Sequence, residues 1–297
     1  MSINNTAKLK MILSMTIFGT IGIFVRHIPL PSSIIALSRG CVGMLFLLVV
    51  IWVKKAKLSL PAIRKNALWL VFSGAFLGFN WILLFESYHY TTVATSTLCY
   101  YMAPILVILT SPFLLKEPLT TKKILCVLAA LLGMVCISGV LQTGIPSPTE
   151  GKGILLGLAA AVLYAAIVLM NKQIHDISAY DKTILQLGIS AVVLLPYCML
   201  TVPVDTLQFS PTILMMLLLV GILHTGVAYF LYFGSIEHIS GQTAAIISYI
   251  DPVVAVLASV LILREPILLS EGIGALLILG AALCSELTPG KVGEGER

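Results

Sequence analysis

Gly78–Pro118, GFNWILLFESYHYTTVATSTLCYYMAPILVILTSPFLLKEP, lies without a gap on Gly226–Pro266, GVAYFLYFGSIEHISGQTAAIISYIDPVVAVLASVLILREP, when the chain is shifted by 148 residues. Twelve of the 41 positions are identical, among them Gly78/Gly226, Tyr101/Tyr249, Pro104/Pro252, Glu117/Glu265 and Pro118/Pro266. Both copies close an apolar run with Leu-Lys/Arg-Glu-Pro. A repeat this long in so apolar a setting implies a protein built by duplication.

The solvent of that protein follows from composition. Of 297 residues 59% are apolar and 10% charged, and the mean hydropathy is +1.04. A soluble domain carries about 25% charge, so bilayer is the expected environment. The net charge of +5 is no nucleic-acid footprint, because the basic residues sit in short loops beside apolar runs. Cys41, Cys99, Cys126, Cys136, Cys198 and Cys284 fall inside apolar runs without paired or zinc-type spacing, and read as packing residues. Lys8 and Lys10 precede the first apolar run, but no small-x-small cleavage site follows, so the run is expected to be retained.

Ten runs reach the length a helix needs to cross about 30 Å of hydrocarbon. They span roughly 9–27, 32–53, 66–88, 92–114, 122–141, 151–171, 181–201, 211–235, 239–263 and 269–287. Turn chemistry separates them, and Gln142–Glu150 joins the halves. The expected organisation is a first repeat at 1–141, a second at 151–287 and a disordered cytoplasmic tail at 288–297. With ten spans, fourteen Lys and Arg lie on the N-terminal side and three on the other, with Arg39 inside a span. That bias places both termini in the cytoplasm. Five spans per half is an odd number, so the second half enters from the opposite face. The fold class is therefore an all-α polytopic membrane protein, ten transmembrane helices as two inverted five-helix repeats, an architecture typical of secondary transporters.

Asp251 is the sharpest candidate, near the middle of span 9 and directly before Pro252. An ionised carboxylate there costs about 2.5–3.5 kcal/mol on insertion scales, so it faces a cavity or a packed neighbour. It reads either as a proton, cation or substrate-amine site, or as a protonated acid bonded to a neighbouring helix. Ser248 shares its stripe. The first half has Ala103-Pro104 at the equivalent position, so Pro104 and Pro252 read as architecture and Asp251 as specialisation. His224 and Tyr232 share a face of span 8, and His224 reads as a proton-exchanging group or a neutral core histidine. Asn80 and Trp81 lie on span 3, Trp81 matches Tyr229 under the shift, and Tyr100, Tyr101 and Tyr249 place phenols beside the two prolines. Aromatic faces around one carboxylate suit an organic cation or an ammonium group. Glu86 is a candidate external gate, Glu237 a solvated helix end, and Arg39 either snorkels or pairs with a carboxylate. Glu117, Pro118, Glu265 and Pro266 read as structural closures of helix ends. Gly74 with Gly78, and Gly153 with Gly157, have the small-xxx-small spacing of close helix packing. No phosphate loop, His-Glu-x-x-His or Gly-x-Ser-x-Gly is present, so no catalytic residue, metal site, cofactor or enzyme activity is expected.

These features together resemble the EamA branch of the drug/metabolite transporter superfamily. The resemblance is carried by Tyr101-Met-Ala-Pro104 through Leu115-Lys-Glu-Pro118 and Gly133, and by Tyr249-Ile-Asp-Pro252 through Leu263-Arg-Glu-Pro266 with Gly274 and Gly280. It implies a central cavity lined by spans 1, 3, 4, 6, 8 and 9, with 5 and 10 behind, which makes Phe18 and Tyr164 cavity candidates. It also implies export or exchange of amino acids or related metabolites. The expected function is a secondary active carrier exporting a small amine-bearing metabolite, an amino acid, across the plasma (inner) membrane by alternating access, with Asp251 and His224 as coupling groups. The alternatives are an exporter of hydrophobic or quaternary cations, a membrane-embedded enzyme and a passive channel. The expected partners are a small-molecule substrate, the lipid bilayer and protons for coupling, with no nucleic acid, in a monomer or homodimer.

Overall fold

The computed structural model describes residues 3–25, 27–90, 96, 99–137, 148–203, 205, 207–258, 261–262 and 269–286. The expected roles of Glu265 and Pro266, most of the loop between the halves, and the tail lie outside them. Everything regular among the described residues is helical: α1 (Ile3–Gly19), α2 (Ile21–Val25), α3 (Ser32–Val53), α4 (Leu60–Lys65), α5 (Ala67–Ser87), α6 (Ala103–Leu114), α7 (Thr121–Ile137), α8 (Pro148–Asn171), α9 (Ala179–Thr201), α10 (Pro211–Gly221), α11 (Ala228–Ile236), α12 (Gly241–Ser248), α13 (Ile250–Ala258) and α14 (Leu269–Glu286). Six stretches among the described residues are long and apolar enough to cross a membrane: Ile3–Val25, Ser32–Val53, Ala67–Ser87, Gly151–Asn171, Ala179–Thr201 and Pro211–Ile236. Ala103–Leu114 is a shorter apolar helix.

Local chemistry places the ends. Ser178, Ser210 and Ser240 cap α9, α10 and α12 by accepting from the amides of Asp181, Ile213 and Thr243. Pro211 follows its cap, where a missing N–H costs nothing. α6 ends through Lys116 in the left-handed region, with the Glu117 amide reaching back to the Ser111 carbonyl. The outer faces carry large apolar side chains such as Trp52, Phe113, Met199 and Leu200, as lipid contact requires.

Four expected continuous spans are interrupted, the first of them the run 9–27, which turns at Thr20 between α1 and α2. The run 92–114 turns at Tyr101 and Met102 before α6, and the run 239–263 breaks at Tyr249 between α12 and α13. Pro104 and Pro252 each lie in the first turn of the segment after the break, where they cost no helical hydrogen bond. The run 211–235 contains a π-helical turn, Ile222–Val227, between α10 and α11.

Packing respects the duplication. α5 packs on α8 as α11 packs on α1, α6 packs on α8 as α13 packs on α1, and α7 lies against α14. Gly78 shows why small residues are needed. A Cβ there would lie 2.8 Å from Val193 Cβ and 2.9 Å from the Ser190 carbonyl of α9. Gly78→Val is therefore expected to force α5 and α9 apart at a cost of about 1–3 kcal/mol. The thermal midpoint of the purified protein should fall by several degrees, and an unchanged midpoint would refute this packing account.

At one end of the molecule partly buried polar contacts join the two halves through Glu117 and Gln242, and others tie α8 and α9 to the end of α11 within the second half. The Glu117 carboxylate accepts from the amides of Gly241 (2.8 Å) and Gln242 (3.1 Å), the first residues of α12. Gln242 donates to Ser111 Oγ at 2.6 Å and accepts from Lys123. Lys172 donates to the carbonyls of Ile239 (2.6 Å) and Ile236 (3.3 Å). Burial holds the Lys172 ammonium below its ordinary range, against the raising influence of Glu117 and Glu237. Lys182, 1% exposed, lies 3.8 Å from Glu237. Glu237 is thus engaged with a buried ammonium, beyond the solvated helix end its position suggested.

Candidate functional site

Asp251 lies in the first turn of α13, half-buried. The break at Tyr249 converts a mid-span position into a helix N-terminus, where the dipole and free amides favour negative charge. The Tyr101 phenol acts on its carboxyl electrostatically. α1 comes down directly on this turn, because Gly19 has no side chain. A Cβ at Gly19 would sit 2.5 Å from the Asp251 carbonyl.

An aromatic wall runs from this point. Phe18 lies 4.9 Å from Tyr229 and 6.4 Å from Tyr232, between ring centroids. Tyr164 stacks on Tyr232 at 6.3 Å and donates to its hydroxyl at 2.8 Å. Tyr100 lies 5.4 Å from Tyr164 and 6.0 Å from Tyr101. Two contacts join residues related by the repeat. Trp81 meets Tyr229 edge-on at 6.1 Å, and the Tyr249 hydroxyl donates to the Tyr101 carbonyl at 3.3 Å.

Arg39 of α3 reaches the same place. Its Nε donates to Thr225 Oγ1 at 3.1 Å, and its guanidinium lies 5.3 Å from the Trp81 ring centroid. Asp251, Tyr229 and Tyr100 all act on it electrostatically. The π turn presents Thr225 to it, with the Thr225 hydroxyl also reaching the Val220 carbonyl at 3.3 Å. His224, in the same turn, is fully buried, with Nε2 3.1 Å from Thr20 Oγ1 and its ring 5.0 Å from Phe24. Thr20 spends its proton on the Ile17 carbonyl. That pattern assigns the proton to His224 Nε2. Nδ1 is left buried with no partner among the described residues.

The structure therefore brings together Asp251, Tyr100, Tyr101, Tyr164, Tyr232, Trp81 and Phe18. Tyr249 touches the cluster through Tyr101, and its ring is fully buried. Asn80 spends its amide on the Ala160 carbonyl at 2.6 Å and meets Tyr100 at 3.5 Å, which ties α5 to α8. The Ser248 hydroxyl donates to Ala244 of its own helix. His224 sits beyond Arg39, on Thr20. Glu86 is elsewhere: it accepts from Tyr197 and lines a cavity of about 570 Å³ with Ser32, His89 and Thr201. Arg39 was absent from the sequence-derived site. Its signal was the charge count, which left one basic residue inside a span.

A family model for the EamA-like transporter family matches residues 6–139 and 151–286, one copy per half. The chain belongs to the EamA-like transporter family. It is thus a multi-pass membrane transporter with two EamA domains. Its EamA relatives include the uncharacterized transporter YxxF of Bacillus subtilis (strain 168), 34% identical over 253 residues, 85% of this chain and 80% of that one. An uncharacterized transporter of Archaeoglobus fulgidus is 24% identical over 273 residues, 92% of this chain and 93% of the relative. A solved crystal structure, 18% identical, superposes with a TM-score of 0.86 over 96% of this chain and 97% of its own, which shows a shared fold.

Proposed function

We propose that this EamA transporter is a secondary active carrier that exports a small amine-bearing metabolite, an amino acid, across the plasma membrane by alternating access. Its ten spans are α1–α2, α3, α5, the run ending in α6, α7, α8, α9, α10–α11, α12–α13 and α14, arranged as two inverted halves with both termini in the cytoplasm. The contacts of Trp81 with Tyr229 and of Tyr249 with Tyr101 support that arrangement, since residues related by a two-fold operation meet only near its axis. The single observation that carries the substrate reading is Asp251. It is a half-buried carboxylate at a helix break, beside an aromatic wall, in a fold whose family moves solutes. A carboxylate held there recognises an ammonium group by a charge-assisted hydrogen bond. His224 is the second coupling group in this reading, its Nδ1 buried with no partner among the described residues.

The test is counterflow. Liposomes holding the full-length protein and loaded with unlabelled amino acids are expected to take up a labelled amino acid faster than unloaded ones, with saturation. Flux that rises linearly with concentration and ignores the internal load would overturn the carrier reading in favour of a channel. An exporter of quaternary cations fits the aromatic wall but not the guanidinium of Arg39 on the same site, which repels a bare cation.

A further inference from the structure

Arg39 and Asp251 come from α3 and α13, in different halves of the chain. Each is half-buried. They act on one another electrostatically, yet neither is in a direct ion pair among the described residues. Thr225 takes only the Nε of Arg39, and the two terminal nitrogens meet no acceptor among the described residues. The near face of the guanidinium is covered by Trp81. The Asp251 carboxyl has no ion-pair partner among the described residues, and Tyr101 and Arg39 act on it electrostatically. This part of the molecule thus presents a planar two-nitrogen donor and a carboxylate acceptor that are not paired with each other, with Phe18 and Tyr229 nearby.

Unpaired charges away from water are costly. A ligand that brings both complementary charges relieves both at once. A bare amine satisfies Asp251 and confronts Arg39 with a like charge. A bare carboxylate does the reverse. We infer that Arg39 is a specificity-determining residue that holds the carboxylate of a zwitterionic substrate, an α-amino acid or a betaine, whose cationic nitrogen lies on Asp251. The fork of Arg39 takes a carboxylate through two parallel hydrogen bonds. The aromatic faces take the side chain of an amino acid or the methyl groups of a betaine. This inference rests on the amine-carrier reading and adds the second charge to it.

The experiment compares ligand sets on the purified full-length protein in nanodiscs, with dissociation constants read from thermal-shift titrations. One set is L-leucine, 3-methylbutylamine and 4-methylpentanoate. A second is L-phenylalanine, phenethylamine and 3-phenylpropanoate. A third is glycine betaine and tetramethylammonium. In at least one set the zwitterion is expected to bind at least about tenfold tighter than its truncated relatives. The set that responds separates amino acid from betaine. Arg39→Gln should erase the preference for zwitterion over amine while leaving amine affinity equal or improved. Where Arg39→Gln does not fold, Arg39→Lys keeps the charge without the fork and should reduce the preference by at least about threefold. An amine that binds wild type as tightly as its zwitterion, or an unchanged preference in the Arg39 variants, overturns this inference and leaves the amine-carrier reading standing. If no amine or zwitterion binds, both fall.

Discussion

Asp251→Asn is expected to weaken binding of the best amine-bearing ligand by about ten- to a hundredfold, while the thermal midpoint of the unliganded protein moves by only a few degrees. The affinity loss follows from the charge. A hydrogen bond to an ionised partner contributes about 1.5–3 kcal/mol, and an amide keeps the shape but not that charge. Stability is a balance of three effects. Removing a carboxylate from the bilayer interior relieves about 2.5–3.5 kcal/mol on insertion scales. Against this, the first turn of α13 loses a favourable dipole contact of about 0.3–1 kcal/mol. Arg39 also loses its attraction to Asp251. The opposing effects partly cancel. Asparagine keeps the shape of the side chain and an oxygen acceptor, so the local fold is kept. Titration calorimetry and a thermal melt on one preparation check both halves. Equal affinity for wild type and variant would remove Asp251 from the binding site. A lost affinity with a collapsed melt would make it a structural residue.

The sequence carried Asp251 because a carboxylate in an apolar run is conspicuous, and it carried the aromatic neighbours because repeat and helical spacing put them at one depth. It did not carry the break at Tyr249. Hydrophobic periodicity reads 239–263 as one helix, since a turn of one residue leaves the apolar pattern almost unchanged, and a proline in the first turn is indistinguishable in composition from one that kinks a helix interior. The chemical setting of Asp251, a helix N-terminus, was therefore hidden. Arg39 was visible as the basic residue inside a span that either snorkels or pairs with a carboxylate, but its approach to Thr225 spans 186 residues. Lys182 was counted among the loop charges that set orientation, yet it is 1% exposed and directed at Glu237. Pairings of this kind depend on how helices are arranged, and no local pattern encodes them.

Glu117→Gln is expected to release α12 and to favour the arrangement open at the end where Glu117 lies. The carboxylate holds the amides of Gly241 and Gln242 with one oxygen each. Those amides are among the four that an α-helix start leaves without internal partners, and the positive end of the α12 dipole adds to their pull on a negative charge. Glutamine offers one oxygen and turns an N–H₂ group toward the second amide. One charge-assisted bond is lost and another is weakened, a cost of about 2–4 kcal/mol. If this contact exists in only one of the two arrangements of the carrier, the balance between them shifts by about 30- to 1,000-fold. The substitution also removes the attraction of Glu117 for the Lys172 ammonium, but the other hydrogen bonds stay: Gln242 still reaches Ser111, and Lys172 still holds the carbonyls of Ile236 and Ile239. The loss should therefore appear as altered equilibrium rather than unfolding. Hydrogen exchange in nanodiscs is the direct readout. The amides of residues 241–248 should exchange at least about tenfold faster in the variant, with α3 and α5 unchanged. Counterflow should slow as the carrier dwells in one arrangement. Exchange rates equal to wild type across α12 would show that Glu117 does not hold the halves together. Faster exchange throughout the protein would make it a general stabilising residue instead of a gate.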